Sequence, residues 1–195
     1  MIKDELERII SSADARIGVI GLGYVGLPLI VEFCLKGFNA IGFEVDDKKV
    51  TEINSGRSYI VDVSNENVAE CVNGGKLMAS TDFSELNTCD VIIICVPTPL
   101  SDDQGPDLTA VKAAVRGLVG HINVGDLVVL ESTTYPGTTE EVVGPILAES
   151  GLSVPGDVNL AFSPERVDPG NAVYGITNTP KVVGGVDEKS GEAAA

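Results

Sequence analysis

Basic residues are scarce in this 195-residue chain: 13 Lys and Arg stand against 29 Asp and Glu, a formal net charge of −16 at pH 7. Nucleic-acid binding rests on clustered cations that displace counterions from phosphates, so no nucleic-acid partner is expected. An anionic membrane surface is disfavoured for the same reason. Long apolar runs are missing as well. The longest, around 17–23 and 91–96, fall far short of the roughly 20 residues that cross a bilayer. Lys3-Asp4-Glu5 stands near the start with no apolar stretch behind it, so we expect no secretory leader and a soluble, cytoplasmic protein. There is one histidine, His121, and the four cysteines (Cys34, Cys71, Cys89, Cys95) form no CxxC pair. Zinc-type spacing is therefore absent, no metal is expected, and the cysteines read as reduced structural thiols. His121 falls between a helix and a strand, where it complements the helix dipole rather than performing catalysis.

What is present is globular. Hydrophobic residues make up 44% and charged residues 22%, and a domain size of roughly 150 residues leaves room for one domain and a little more. The acidity has two readings, a solvated surface that keeps the chain soluble or adaptation to a high-salt host.

Apolar runs alternate with amphipathic ones along the chain. Strands are expected at 16–20, 39–43, 77–80, 90–96, 126–130 and 158–162, with an edge strand at 181–183. Helices are expected at 1–12, 24–36, 46–54, 65–72, 108–119 and 138–150, by apolar spacing and by stops such as Gly37 and Gly74-Gly75. Continuously apolar strands separated by helices point to an α/β fold of Rossmann type, a doubly wound, mainly parallel sheet covered on both faces. Residues 1–15 read as a helical extension, 16–185 as the main domain, and 186–195 as the start of a further region. The stretch from 184 onward is polar and alanine-ending, and we expect it to lack a packing partner.

Gly21-Leu-Gly23-Tyr-Val-Gly26 follows a strand and opens a helix, the setting in which GxGxxG binds a dinucleotide. Gly21 suits the tight turn, Gly23 lets the backbone approach a pyrophosphate, and Gly26 lets helix and sheet pack closely. Such a fold needs an acid at the end of the second strand for the ribose hydroxyls. Glu44 stands there, 23 residues after Gly21, and its charge favours NAD over NADP. Asp46 is the rival for that role, although a helix cap suits it better. FAD, an adenosine ligand without nicotinamide, or a bare βα turn are the other readings of the motif.

With Gly21-Leu-Gly-Tyr-Val-Gly-Leu-Pro28 in view, three further segments stand in order. They are Val96-Pro-Thr-Pro99, Glu131-Ser-Thr-Thr-Tyr-Pro-Gly-Thr138 and Phe162-Ser-Pro-Glu-Arg166. Together they resemble the NAD-binding amino-terminal domain of the UDP-glucose/GDP-mannose dehydrogenase family. The Ser-Thr-Thr-Tyr-Pro-Gly variant looks most like the branch acting on UDP-N-acetylhexosamines such as UDP-N-acetylglucosamine. The resemblance implies oxidation of a sugar C6 alcohol to a carboxylate with two NAD, through a cysteine-bound thiohemiacetal and thioester. Carried over by position, Tyr24 and Val25 offer backbone to the pyrophosphate, and Glu44 holds the ribose with Lys49 nearby. Thr98 lines the cofactor site, Thr133 faces the nicotinamide and positions a water, Glu165 is the general acid/base, and Arg166 and Val167 reach the substrate. Most relatives carry Asp where Glu44 stands.

None of the four cysteines matches the glycine-rich context of the family's nucleophile. The resemblance therefore implies a cofactor domain that binds NAD without turnover, a fragment that is monomeric while its parent forms a homo-oligomer and meets the UDP-sugar through a further domain. Two alternatives stay open: a self-standing NAD-binding regulatory module, and another Rossmann dehydrogenase acting on a hydroxyacid.

Overall fold

The computed structural model describes residues 2–100, 105–166 and 175–195. Seven strands among them form one sheet: β1 (Arg16–Ile20), β2 (Asn39–Phe43), β3 (Leu77–Ser80), β4 (Val91–Ile94), β5 (Leu127–Leu130), β6 (Asn159–Phe162) and β7 (Gly184–Gly185). Their order is β3-β2-β1-β4-β5-β6-β7. Every pairing is parallel except that of β7 with β6. The doubly wound fold expected from the alternating pattern is the one found.

The helices are α1 (Ile2–Ser11), α2 (Gly26–Leu35), α3 (Asp47–Asn54), α4 (Asn65–Asn73), α5 (Thr109–Leu118), α6 (Gly144–Ala148) and α7 (Glu188–Ala194). Two buried clusters lie on opposite faces of the sheet. Leu27, Ile30 and Val31 of α2 join Ile17, Val19, Val91 and Val129 in one. Val111, Val115 and Leu118 of α5, with Leu147 of α6, join Ile92, Ile94, Val128 and Leu130 in the other. Alternate residues of β4 and β5 thus point to opposite faces, as a strand's two-residue period demands, and both faces are apolar because both are covered.

Local chemistry sets the ends. Asp46 caps α3, its carboxylate accepting from Lys48 N at 2.9 Å, and Ser64 caps α4 by accepting from Asn67 N at 3.1 Å. Gly37 closes α2 with φ of 103°, the left-handed conformation that suits glycine after a helix.

Three expectations need correction, and one element was not foreseen. The helix expected over 138–150 is a wide π turn, Thr139–Val143, running into the short α6. Pro145 has no N–H to give, so regular i→i−4 bonding cannot continue through it. A 3₁₀ turn at Phe83–Thr88, capped by Asp82, was not expected, because six residues are too few to show a period. The edge strand lies at Gly184–Gly185, not 181–183, and runs antiparallel to β6, while the Lys181 ammonium turns inward to buried carboxylates. Finally, the terminal segment does pack. Asp187 caps α7, the buried Ser190 Oγ accepts from Leu160 N at 3.1 Å, and Ala193 joins the core. Small residues let this helix sit directly on the sheet, so it has no large apolar stripe to read.

Among the described residues, no helix is long and apolar enough to cross a membrane.

Candidate functional site

β1 feeds α2 on one face, while its neighbour β4 feeds α5 on the other. The two connections diverge and leave a crevice beyond the strands' carboxyl ends, where ligands gather in open α/β sheets. A cleft of ≈ 710 Å³ lies there. It runs from Glu44 and Lys49 past Gly21, Gly23, Tyr24 and Val25 to Thr98, Thr133 and Glu165. Residues far apart in sequence, each singled out beforehand, thus share one wall.

The glycine-rich turn owes its composition to close contacts. Gly21 has φ of 90°, and a Cβ on it would sit 2.7 Å from Cys95 O. A Cβ on Gly26 would sit 1.9 Å from Gly21 O, so the helix starts against the turn itself. Gly23 differs: nothing lies within 4 Å of where its Cβ would be. The space above that residue is open, unlike the space above its two neighbours in the motif. Val25 offers no side-chain cap to α2, and its first turn carries no acid. Leu27 N donates to Gly23 O at 3.1 Å, and the positive end of the helix dipole faces the turn without an acid to offset it.

Glu44, at the end of β2, is 7% exposed. Its Oε1 accepts from Val45 N at 2.9 Å, and its Oε2 accepts from Leu22 N at 3.3 Å and Lys49 Nζ at 3.2 Å. The carboxylate therefore ties the glycine loop to the turn before α3. Asp46, the rival, is spent on its cap. Sequence reasoning missed Tyr59. Its hydroxyl donates to Leu22 O at 2.6 Å and its ring lies 5.6 Å from Lys49 Nζ, while burial pushes the phenol above its ordinary pKa. An isolated tyrosine in a loop carries no pattern that reveals such a contact.

The far end of the cleft is assembled from three loops. Thr98 Oγ1 donates to Thr133 O at 2.5 Å, and Ser132 Oγ donates to Val96 O at 2.8 Å, latching the loop after β4 to the loop after β5. Below them, Glu131 pairs with Lys181, whose ammonium also lies 3.8 Å from Glu165 Oε2. Glu165 Oε1 accepts from Arg166 N at 2.7 Å. Cys95 lines the same region, but burial pushes its thiol up to about 12, so it stays protonated at neutral pH. Glu131 and Lys181 were not anticipated, because their partnership spans 50 residues.

Among the described residues, two expected site residues do not line the cleft. Gly26 is buried beneath the turn and acts through packing. Arg166 is exposed and donates to Pro180 O at 3.1 Å, and Val167 lies outside the described residues.

A glycine turn against an uncapped helix start, a buried acid at the end of the second strand and a cleft at the sheet's switch point define a dinucleotide-binding domain of the Rossmann class. The family is more specific. Residues 15–195 match the NAD-binding domain of the UDP-glucose/GDP-mannose dehydrogenase family, and the chain belongs to that family. It is 40% identical over 174 residues to UDP-N-acetyl-D-glucosamine 6-dehydrogenase of Salmonella typhi, covering 88% of this chain and 40% of the relative. It is 36% identical over 180 residues to UDP-N-acetyl-D-mannosamine dehydrogenase of Pyrococcus horikoshii, covering 92% and 43%. The crystal structure of NDP-N-acetyl-D-galactosaminuronic acid dehydrogenase from Methanosarcina mazei superposes with a TM-score of 0.86 at 33% identity, covering 97% of this chain and 43% of that one. The chain thus spans less than half the length of the relatives it matches.

Proposed function

We propose that the cleft holds NAD, with the adenosine ribose on Glu44, the pyrophosphate over Gly21, Gly23 and the Tyr24 and Val25 amides, and the nicotinamide toward Thr98 and Thr133. The observation that carries this reading is Glu44, a buried carboxylate within reach of the glycine loop amide of Leu22. A carboxylate there accepts ribose hydroxyls and repels a 2′-phosphate. Lys49, paired with Glu44 and set against Tyr59, keeps the acid oriented.

We further propose that the whole protein oxidises the C6 alcohol of a UDP-hexose or UDP-N-acetylhexosamine to the uronate, using two NAD. The relatives named for UDP-N-acetylated sugars favour the second substrate. When bound, NAD supplies the hydride acceptor. The chain's own part is to orient and to move protons. Thr133, its carbonyl fixed by Thr98, positions a water. Glu165, near the Lys181 ammonium, takes and returns a proton at its carboxylate. By the family resemblance Arg166, whose guanidinium donates to Pro180 O at 3.1 Å, and Val167 would meet the sugar in the whole protein. The 195 residues alone bind cofactor without turnover, because all four cysteines are buried and the one beside the cleft is a protonated thiol. In this reading residues 186–195 lead into the central dimerising region, and the whole protein is a homo-oligomer.

Calorimetric titration with NAD and NADP tests the site. NAD binding with NADP much weaker is expected. Equal affinity for the two would remove Glu44 from its role, and steady NADH production from UDP-sugars by this chain alone would overturn its inactivity.

A further inference from the structure

Leu22, between the first two glycines of the turn, is held on three sides. Its side chain is buried and fills the hollow over Gly42, where an added Cβ would come within 2.6 Å of Leu22 Cδ1. Its amide donates to Glu44 Oε2 at 3.3 Å. Its carbonyl accepts from the Tyr59 hydroxyl at 2.6 Å. The first two contacts are made by β2 and the residue after it, and they leave the rotation of the Leu22–Gly23 peptide plane open. The third comes from the loop between α3 and α4, outside the βαβ unit that carries the motif.

That peptide has little else to fix it. Reversing a peptide plane changes ψ of the residue before it and φ of the residue after it, and glycine in the second place accepts φ of either sign. Nothing lies within 4 Å of a Cβ position on Gly23 to resist the turn. The bond from Leu27 N to Gly23 O, at 3.1 Å, holds only the following peptide. A planar trans peptide points its N–H opposite to its carbonyl, so whatever draws Leu22 O also aims Gly23 N–H. Tyr59 does not line the cleft, whereas Gly23 does.

Resting on the NAD reading above, we infer that Tyr59 is a positioning residue for the cofactor. Its hydroxyl sets the Leu22–Gly23 peptide so that the cleft meets the Gly23 N–H and not the Leu22 carbonyl. A pyrophosphate is stabilised by an N–H and repelled by a carbonyl oxygen, so the same loop with this peptide reversed is a poorer anion site. The glycine that opens the loop to a ligand thus also makes it reversible, and Tyr59 chooses the orientation. The phenol suits the task. Its ring packs against the core, and burial, with the charges of Glu44 and Asp46, pushes its pKa above the ordinary value, so it stays a donor.

Two ligands that differ by the pyrophosphate test this without turnover. Kd for ADP-ribose and for adenosine are measured by amide NMR titration on the 195-residue chain and on Tyr59→Phe, which removes one hydroxyl and keeps the ring against Lys49. The affinity for ADP-ribose is expected to fall about three- to tenfold, while that for adenosine stays within about twofold. In unliganded Tyr59→Phe the Gly23 amide resonance is expected to shift and broaden as the peptide samples both orientations. Equal losses for the two ligands would mean that Tyr59 acts at the ribose end through Lys49 and Glu44, and would overturn the inference. An ADP-ribose affinity that holds in folded Tyr59→Phe would overturn it too, leaving the NAD site intact. A Tyr59→Phe chain that is unfolded by circular dichroism would do the same, because the hydroxyl would then carry the fold and not one peptide. Failure of the unaltered chain to bind ADP-ribose would overturn the NAD reading and the inference together.

Discussion

The end of the cleft proposed for adenosine is a local structure, whereas the end proposed for nicotinamide is a collective one. Gly21, Leu22, Glu44, Lys49 and Tyr59 lie within 39 consecutive residues of one another and are joined by Glu44 and by the Tyr59 hydroxyl. Thr98, Glu131, Thr133, Glu165 and Lys181 come from loops after three different strands and meet only because β4, β5 and β6 are neighbours. The first half works largely through backbone amides and steric limits, the second through side chains. A single substitution should therefore abolish the first half and only detune the second.

Gly26→Val is expected to have the largest effect. Its first added atom would meet Gly21 O at 1.9 Å, and backbone on both sides cannot yield. A loss of about 3 kcal/mol or more, seen as a collapse of the thermal midpoint, is expected. A midpoint within a few degrees of the unaltered chain would mean that the glycine turn is less constrained than its packing indicates. Glu44→Ala comes next. It removes the proposed ribose acceptor and leaves Lys49 unpaired, so NAD affinity should fall about tenfold or more while NADP binding holds or improves. Equal losses for both cofactors would indicate a structural role alone.

Asp126 sharpens the comparison from below, at the amino end of β5 on which the second half rests. Burial pushes its carboxyl up to about 7, the charge of Asp90 adds to this, and bonds from Asn123 oppose it. Because the folded pKa lies above the unfolded one, the protonated form favours folding. That stability is present in full below about pH 4 and is lost as pH rises through about 7. Asp126→Asn should remove the loss, raising stability by about 1–2 kcal/mol at pH 8 with little change at pH 4. Thermal unfolding at both pH values reads this, and a destabilised variant at pH 8 would contradict it. Thr98→Val unlatches the loop after β4 from Thr133 and should weaken NAD binding only about two- to fivefold. His121 follows α5 and lines no part of the cleft, so His121→Ala should leave cofactor affinity unchanged.

Much of this was legible in the residues. The run Ile17–Ile20 before the glycine turn, the cap at Asp46 and the acid at Glu44 are features of short range, and each stands where its local chemistry places it. Legibility faded where long-range contacts replaced periodicity. α7 is held by Ser190 on Leu160 N and by small residues against the sheet, and neither leaves an apolar stripe. The π turn before Pro145 and the 3₁₀ turn at Phe83–Thr88 are too short for any period to show. Arg166 was assigned to the sugar by family resemblance, and no local pattern shows that its guanidinium donates to Pro180 O.

The sequence by itself determined a doubly wound sheet, because buried strands and amphipathic helices alternate with periods set by backbone geometry. It also determined the framework of the proposed dinucleotide site, since the glycine spacing and the following acid encode a turn, a helix end and a carboxylate within one βαβ unit. Only the tertiary structure decided that Lys181 would reach Glu131 and Glu165, that Tyr59 would hold the glycine loop, and that Cys95 would be sealed as a neutral thiol. Those outcomes depend on which strands become neighbours and how much water remains between them, and neither quantity belongs to any one stretch of chain.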